Sequence, residues 1–333
     1  MLECVNYLIM SETKVKTKNV VILGAAFGLI FTGFLTIAAT AETILRSYQR
    51  RTGADNLNGF LSQGLGYVST ALTVPFIPAV MSKIGRRWTM FLGGAAYTSY
   101  ILVYIHPLPE LLYCVSFVGG LGGALLWIAQ GPELVLNSTE RTMNRNSAIF
   151  WVLYMSGSLG GDTYVFLAWK GKEEISQAEQ TTLALAMATV TFIGAVLIFA
   201  IRRIDGGGNE EEEEKEEQPT PREMIRSAWD MLKRRELLLM IPTMAFSGFE
   251  LGFWQSIYPT CIGATKALGS DSDRLTGLTS ICIGIGEILS AGVLFWKHQD
   301  DKRGYFISMV YFAGFLAFLL PSLRHMVTLV ISR

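Results

Sequence analysis

The sequence predicts an all-α, polytopic membrane bundle of about nine transmembrane helices. Half of the 333 residues are hydrophobic and only 17% are charged, whereas roughly 25% are charged in an ordinary soluble domain. The hydrophobic residues also form long unbroken runs, and a helix needs about 20 such residues to cross a bilayer. Because a β-barrel would instead show short alternating segments, helices are the predicted spanning elements.

Nine hydrophobic runs, separated by charged residues or by Pro and Gly, are the predicted spans. They cover residues 19–40, 59–81, 88–106, 111–136, 147–169, 181–201, 237–260, 275–296 and 304–320. The residues before the first run lack the basic start of a signal peptide, so 1–18 is predicted to be a cytosolic tail. Most of the 28 basic residues fall on one side of this arrangement, which predicts an integral, multi-pass protein with a cytosolic N-terminus. This pattern does not distinguish the plasma membrane from an endolysosomal membrane.

An acidic segment at 202–236 divides the predicted spans into two unequal parts. It combines a glycine run, a glutamate run and two prolines, a composition typical of a flexible cytosolic linker. A regulatory docking site is the alternative reading of the glutamates. The linker separates a six-helix bundle at 19–201 from an incomplete three-helix bundle at 237–333, and its end at 221–236 fits a short amphipathic helix.

Ionisable side chains inside spans are candidate functional residues, because each costs on the order of 3 kcal/mol near the bilayer centre. Spans three, six and nine have no such residue. Spans four, five, seven and eight carry Glu133, Asp162, Glu250 and Glu287, and Glu42 follows span one, where it is expected at the outer interface. Glu250 and Glu287 lie midway along their spans, with Gln255 about one turn beyond Glu250. A carboxylic acid in a low-dielectric site keeps its proton more readily, as coupling to protons requires. The alternative is that these acids only fix helix packing.

Local context gives two further acids different expected roles. Asp162, beside two glycines near a span end, is expected at a solvated helix end rather than in a vestibule. Glu133 follows Gly131 and Pro132, which predicts a break in span four that exposes backbone groups to a cavity. Both residues are retained as candidates for substrate or ion coupling.

The small and aromatic residues have structural interpretations. Glycine clusters in spans one, four and five predict close helix packing. Six of the tryptophans fall mainly near span ends, as interfacial anchors do; these are Trp88, Trp127, Trp151, Trp169, Trp254 and Trp296.

Enzymatic, metal and nucleic-acid functions are disfavoured. The sequence has no phosphate loop and no nucleophile or acid/base cluster, and its three histidines lie at loop edges. The four cysteines have no paired spacing, and the net charge is zero. No cofactor, no metal and no nucleic-acid partner are expected.

Five stretches resemble the uncoordinated-93-like branch of the major facilitator superfamily. They are residues 127–131, 145–151, 248–251, 258–264 and 283–289. The resemblance implies a twelve-helix carrier fold, and members that regulate ion channels or escort receptors rather than proven transporters. A weak repeat between the loops at 83–88 and 301–305 agrees with two six-helix halves. Gly85, Arg86 and Arg87 match the superfamily's conformational loop, although Ser82 stands before that loop where an acid is usual.

Two functions are therefore carried forward. The first is a non-enzymatic regulator or adaptor of membrane partners, such as channel subunits or sorting receptors. The second is a proton- or cation-coupled carrier of a small solute. A facilitator half needs six helices to close around its cavity. A chain with three spans after the linker is therefore expected to be a truncated isoform, a fragment or an incomplete gene model, and to carry no solute unaided.

Overall fold

Every regular element is helical in the computed structural model, which describes residues 2–168, 175–202, 221–265 and 272–296. The helices are α1 (Leu2–Thr52), α2 (Gly59–Thr73), α3 (Ile77–Ile84), α4 (Arg86–Leu102), α5 (Pro109–Leu136), α6 (Met143–Ala168), α7 (Gln177–Leu197), α8 (Pro221–Leu232), α9 (Arg235–Gly252), α10 (Tyr258–Ala264) and α11 (Ser272–Trp296). Short 3₁₀ turns extend α2, α4 and α7, and a π-helical turn at Phe253–Ile257 joins α9 to α10.

Each predicted span before residue 297 overlaps a helix of the structure. Four helical segments, Lys14–Thr52, Gly59–Ile84, Pro109–Leu136 and Gln177–Ala200, are by length and composition able to cross a membrane. The ninth predicted span and the second loop of the weak repeat lie outside the described residues. Helix α1 runs without interruption across the boundary predicted between the N-terminal tail and the first span.

Local side-chain chemistry sets several helix ends. The Asn58 side chain accepts a hydrogen bond from the Leu61 backbone N–H and so caps the start of α2. Ser176 and Glu179 form a reciprocal capping box at the start of α7. Between α3 and α4, Gly85 adopts a φ of +80°, a conformation that glycine accepts without steric cost.

One expected break is absent. Helix α5 continues through Pro132 to Leu136, so the prediction of an interrupted fourth span is wrong. Pro132 lies about one turn before the end of α5, where the helix loses a single backbone hydrogen bond rather than a run of them.

The first seven helices form a packed unit around α1. Helices α6 and α7 pack against α1, α4 packs against α5 and α7, and α2 packs against α5. Two buried hydrophobic clusters hold these contacts, one around Tyr104 and Leu183 and the other around Phe27 and Phe150.

The glycines of α1 and α6 allow their backbones to touch. A Cβ atom on Gly28 would lie 2.7 Å from the Leu153 carbonyl oxygen, and one on Gly157 would overlap the Gly28 carbonyl oxygen. A side chain at either position would force the two helices apart. The packing role predicted for these glycines is therefore confirmed at this crossing.

The later helices join this unit along α6. Helix α11 packs along α6, and Gly277 of α11 lies so close that a Cβ atom there would be 2.7 Å from the Asp162 carbonyl oxygen. Helix α9 exposes much of its apolar surface, including Leu239 and Phe249. The short helix predicted within 221–236 is present as α8, and its Trp229 is exposed.

Candidate functional site

Two acids from different parts of the chain face one small cavity. Asp162 of α6 and Glu287 of α11 both line a cavity of about 30 Å³, together with Trp254. The wall also includes Leu35 and Ala39 of α1 and three further residues of α11, which are Ser280, Ile283 and Gly284. The cavity exists because α11 lies against α6, which brings the carboxyl groups of two distant sequence segments to the same place. We call this pair the seam acids.

Asp162 is buried, with 4% of its surface exposed. The expectation that it sits at a solvated helix end is therefore wrong, because α11 covers this part of α6. Among the described residues, no lysine or arginine forms a salt bridge with Asp162. A buried acid facing a second acid is costly in its charged form, which suits a group that exchanges a proton or meets a cation.

The other acid predicted to lie midway along a span, Glu250, does not line this cavity. Glu250 is half-exposed on α9, and the described residues that line the seam cavity do not include it. Gln255 lies in the π-helical turn, and its side chain is outside the described residues. The sequence identified Glu287 as a deep acid but not Asp162 as its neighbour.

Glu133 has a different environment at the end of α5. Its carboxylate accepts hydrogen bonds from Arg86 Nε at 2.9 Å and from Asn137 Nδ2 at 3.0 Å. Glu133 is 4% exposed, whereas the Arg86 side chain is 36% exposed. Because its charge is balanced by a guanidinium, Glu133 stabilises the packing of α4 on α5 rather than offering a free carboxylate.

Asparagines extend this cluster to three more segments. Asn19 of α1 donates to Asn137 Oδ1 at 2.8 Å and accepts from the Arg202 backbone N–H at 2.9 Å. Asn146 of α6 donates to the Asn137 carbonyl oxygen at 3.0 Å. These bonds tie α1 at Asn19 to the end of α5, the start of α6 and the residue after α7. We call this group, with Arg86 and Glu133, the end cluster.

The predicted conformational loop lies at this end cluster. Arg86 forms the salt bridge with Glu133, and Gly85 forms the turn that places Arg86 at the start of α4. Arg87 is half-buried beside them. The structure therefore gives Arg86 a defined partner, Glu133, whereas the sequence alone left the loop without an acid.

A larger cavity of about 240 Å³ lies at the centre of the bundle. Helices α1, α2, α4, α5 and α6 form most of its wall, and Leu251 of α9 also contributes. Aromatic residues make up much of the wall, and hydroxyl and amide groups lie among them; these come from Ser62, Gln63, Thr70 and Ser116. None of the described residues that line this central cavity is charged.

Aromatic rings pack tightly around the central cavity. Phe34 and Tyr97 stack with ring centroids 4.1 Å apart, and Tyr154 meets Phe31 edge-on at 5.0 Å. Trp127 stacks on Trp151 at 5.9 Å. Both tryptophans line the cavity, a position that their interpretation as interfacial anchors did not include. The spacing of Phe31 and Phe34 along one face of α1 was the available signal that sequence reasoning missed.

Within the described residues, no group of three or more His, Cys, Asp or Glu side chains is placed to hold a metal ion. The candidate site thus consists of the seam acids, the neighbouring central cavity and the end cluster that fixes one end of the helices.

Comparisons with known proteins match almost the whole chain. A family model described as "Ion channel regulatory protein UNC-93" matches residues 51–331. The chain is 33% identical to UNC93-like protein MFSD11 of Xenopus laevis, over 93% of this chain and 72% of that protein. It is 24% identical to UNC93-like protein 3 of Arabidopsis thaliana, over 85% of this chain and 66% of that protein. It is 23% identical to protein unc-93 homolog A of Danio rerio, over 87% and 74% respectively.

Proposed function

The chain belongs to the UNC-93 family of integral membrane proteins, and on this premise we propose that it regulates a membrane partner such as an ion channel or a sorting receptor. The observation that carries this proposal is the match of residues 51–331 to a family described as ion channel regulatory. We further propose that its helices adopt the facilitator fold, which the packing of α11 along α6 supports.

The outer surface of α9 supports a role in association within the bilayer. Leu239 is 70% exposed and Phe249 is 81% exposed. An apolar helix face of this kind suits contact with lipid or with the helix of another membrane protein. A regulator that acts by direct association needs such a face.

Whole-cell currents test the regulator function. Ion-channel subunits from a panel are co-expressed with the chain, and the current amplitude is compared with that of cells lacking it. At least one channel should change its current, and Phe249→Ala together with Leu239→Ala should reduce that change at equal surface level. Leu185→Ala, which truncates an exposed leucine of α7, is the matched control and should leave it intact. Unchanged currents across the panel would contradict a channel-regulating role.

A proton- or cation-coupled carrier is the second candidate, and the seam acids favour it. Two acids sharing a cavity between α6 and α11 can respond to a cation when these helices move. In proteoliposomes, solute uptake driven by a proton or sodium gradient should fall at least tenfold with Asp162→Asn or Glu287→Gln. Glu250→Gln is the matched control, because Glu250 lies outside the seam cavity. Uptake that survives both seam substitutions would exclude this carrier mechanism.

A further inference from the structure

We propose that the central cavity binds a small organic cation, of the class of primary or quaternary ammonium compounds with an aromatic or alkyl body. Binding of this kind goes beyond the regulator function, and for the carrier candidate it names the substrate class. The cavity, at about 240 Å³, lies just below the roughly 300–1,000 Å³ typical of sites for drug-sized molecules. A compact ligand therefore fits it better than a large one.

Several aromatic residues from different helices line the one cavity. Phe31 and Trp127 lie with centroids 5.4 Å apart, and Tyr154 is 5.5 Å from Trp127. Tyr97 closes the same wall from α4 and is 5% exposed. Ring faces carry partial negative charge from their π systems, and cages of such rings are the usual recognition site for ammonium groups.

Several hydroxyl groups of the cavity wall already donate to protein oxygens. The Thr70 hydroxyl lies 2.8 Å from the Gly120 carbonyl oxygen, to which it donates, and Ser116 donates to the Leu112 carbonyl oxygen at 2.6 Å. Because the Ser116 proton is used there, Ser62, at 2.7 Å from Ser116, is the donor in their pair. These three hydroxyl protons are committed to protein oxygens, so acceptor capacity remains toward the cavity.

Gln63 adds a further acceptor to this wall. Its amide nitrogen donates to the Ala38 carbonyl oxygen at 2.6 Å, which leaves its own carbonyl oxygen available. A ligand that donates hydrogen bonds, as an ammonium group does, can satisfy this wall.

The nearest acids reinforce the same sign of charge. Leu35 lines both the central cavity and the seam cavity, so the seam acids lie behind the wall that Leu35 forms. No lysine, arginine or histidine is among the described residues of the central cavity wall. Ring faces, acceptor oxygens and adjacent carboxyl groups thus all favour positive charge in one compartment, and in a low dielectric such effects are weakly screened.

Three ligands of nearly equal shape test this inference directly. The whole chain, purified in detergent, is titrated by calorimetry with 2-phenylethylammonium, with neutral 2-phenylethanol and with anionic phenylacetate. The ammonium compound should bind saturably and at least tenfold more tightly than either of the others. Equal binding of the alcohol, tighter binding of phenylacetate, or no saturable binding of the ammonium compound would each overturn the proposal. The titration involves neither a membrane partner nor solute transport. A negative result would therefore overturn the binding proposal without bearing on the proposed function.

Substitutions in the cavity wall test whether the ammonium compound binds in the central cavity. Trp127→Leu should weaken ammonium binding at least fivefold, and Trp127→Phe, which keeps a ring, should weaken it less. Trp88→Leu is the matched control, since Trp88 is exposed and does not line the cavity, and should leave the affinity unchanged. If Trp127→Leu does not fold, the near-isosteric Thr70→Val should still weaken ammonium binding about threefold by removing an acceptor. Full affinity in folded variants at both positions would place the ligand elsewhere and overturn the assignment.

Discussion

Two acid centres of this bundle are equally buried but differ in what surrounds them. Glu133 and Asp162 are each 4% exposed. Glu133 receives hydrogen bonds from Arg86 and Asn137, so its charge is stabilised inside the end cluster. Asp162 faces Glu287 across a small cavity instead. Burial alone therefore does not assign a role to a membrane acid; its partner decides whether it stabilises the fold or is available for function.

Removing the carboxylate of the end cluster is expected to have the largest effect on stability. Glu133→Ala should lower the free energy of unfolding by about 2–3 kcal/mol, because two hydrogen bonds to a charged acceptor are lost. The half-exposed Arg86 can be rehydrated, which keeps the loss below that of a fully buried pair. Denaturation by SDS in mixed micelles measures the change. Glu140→Ala, on an exposed glutamate, is the control, and equal losses for both variants would contradict the prediction.

Neutralising a seam acid should act in the opposite direction. Asp162→Asn should raise the free energy of unfolding by about 1 kcal/mol, because it removes a desolvated charge that faces another acid. The same SDS titration measures it, with Glu250→Gln as a half-exposed control expected near zero. A destabilisation as large as that of Glu133→Ala would show that Asp162 has a structural partner and would erase the distinction between the two centres.

The smallest expected effect is the coupling between the seam acids. If each carboxyl group raises the cost of charging the other, the increases in the free energy of unfolding from Asp162→Asn and from Glu287→Gln should not add. The double variant should gain about 0.5–1 kcal/mol less than the sum of the single variants. A double-mutant cycle in the same titration measures this term. Strict additivity would mean that the two carboxyl groups do not interact.

Hydropathy was sufficient to predict the helices but not their partners. Span positions depend on local runs of apolar residues, so each predicted span before residue 297 overlaps a helix. The amphipathic helix α8 was also predictable, because its pattern lies within twelve residues. Glu287 was identified as deep because it lies midway along its own helix. Each of these features depends on residues that lie close together in the sequence.

The features that sequence reasoning missed depend on tertiary packing. The sequence placed Asp162 near the end of its predicted span, but α11 covers this residue in the structure. Trp127 has the position of an interfacial anchor, but the neighbouring rings of α1 and α6 enclose it around a cavity. Pro132 is a helix breaker by propensity, but the tertiary structure keeps α5 continuous around it. No local pattern contains this information.

The glycine crossings of α6 restrict how the two parts of the chain can move relative to each other. Helix α1 touches the α6 backbone at Gly157, and α11 touches the same backbone further along, at Asp162 and Phe166. Neither contact has a side chain between the helices that could act as a compressible spacer. Any displacement of α11 toward α1 therefore has to displace α6 as well. A bulky residue at Gly157 or Gly277 would force the neighbouring helix away from α6.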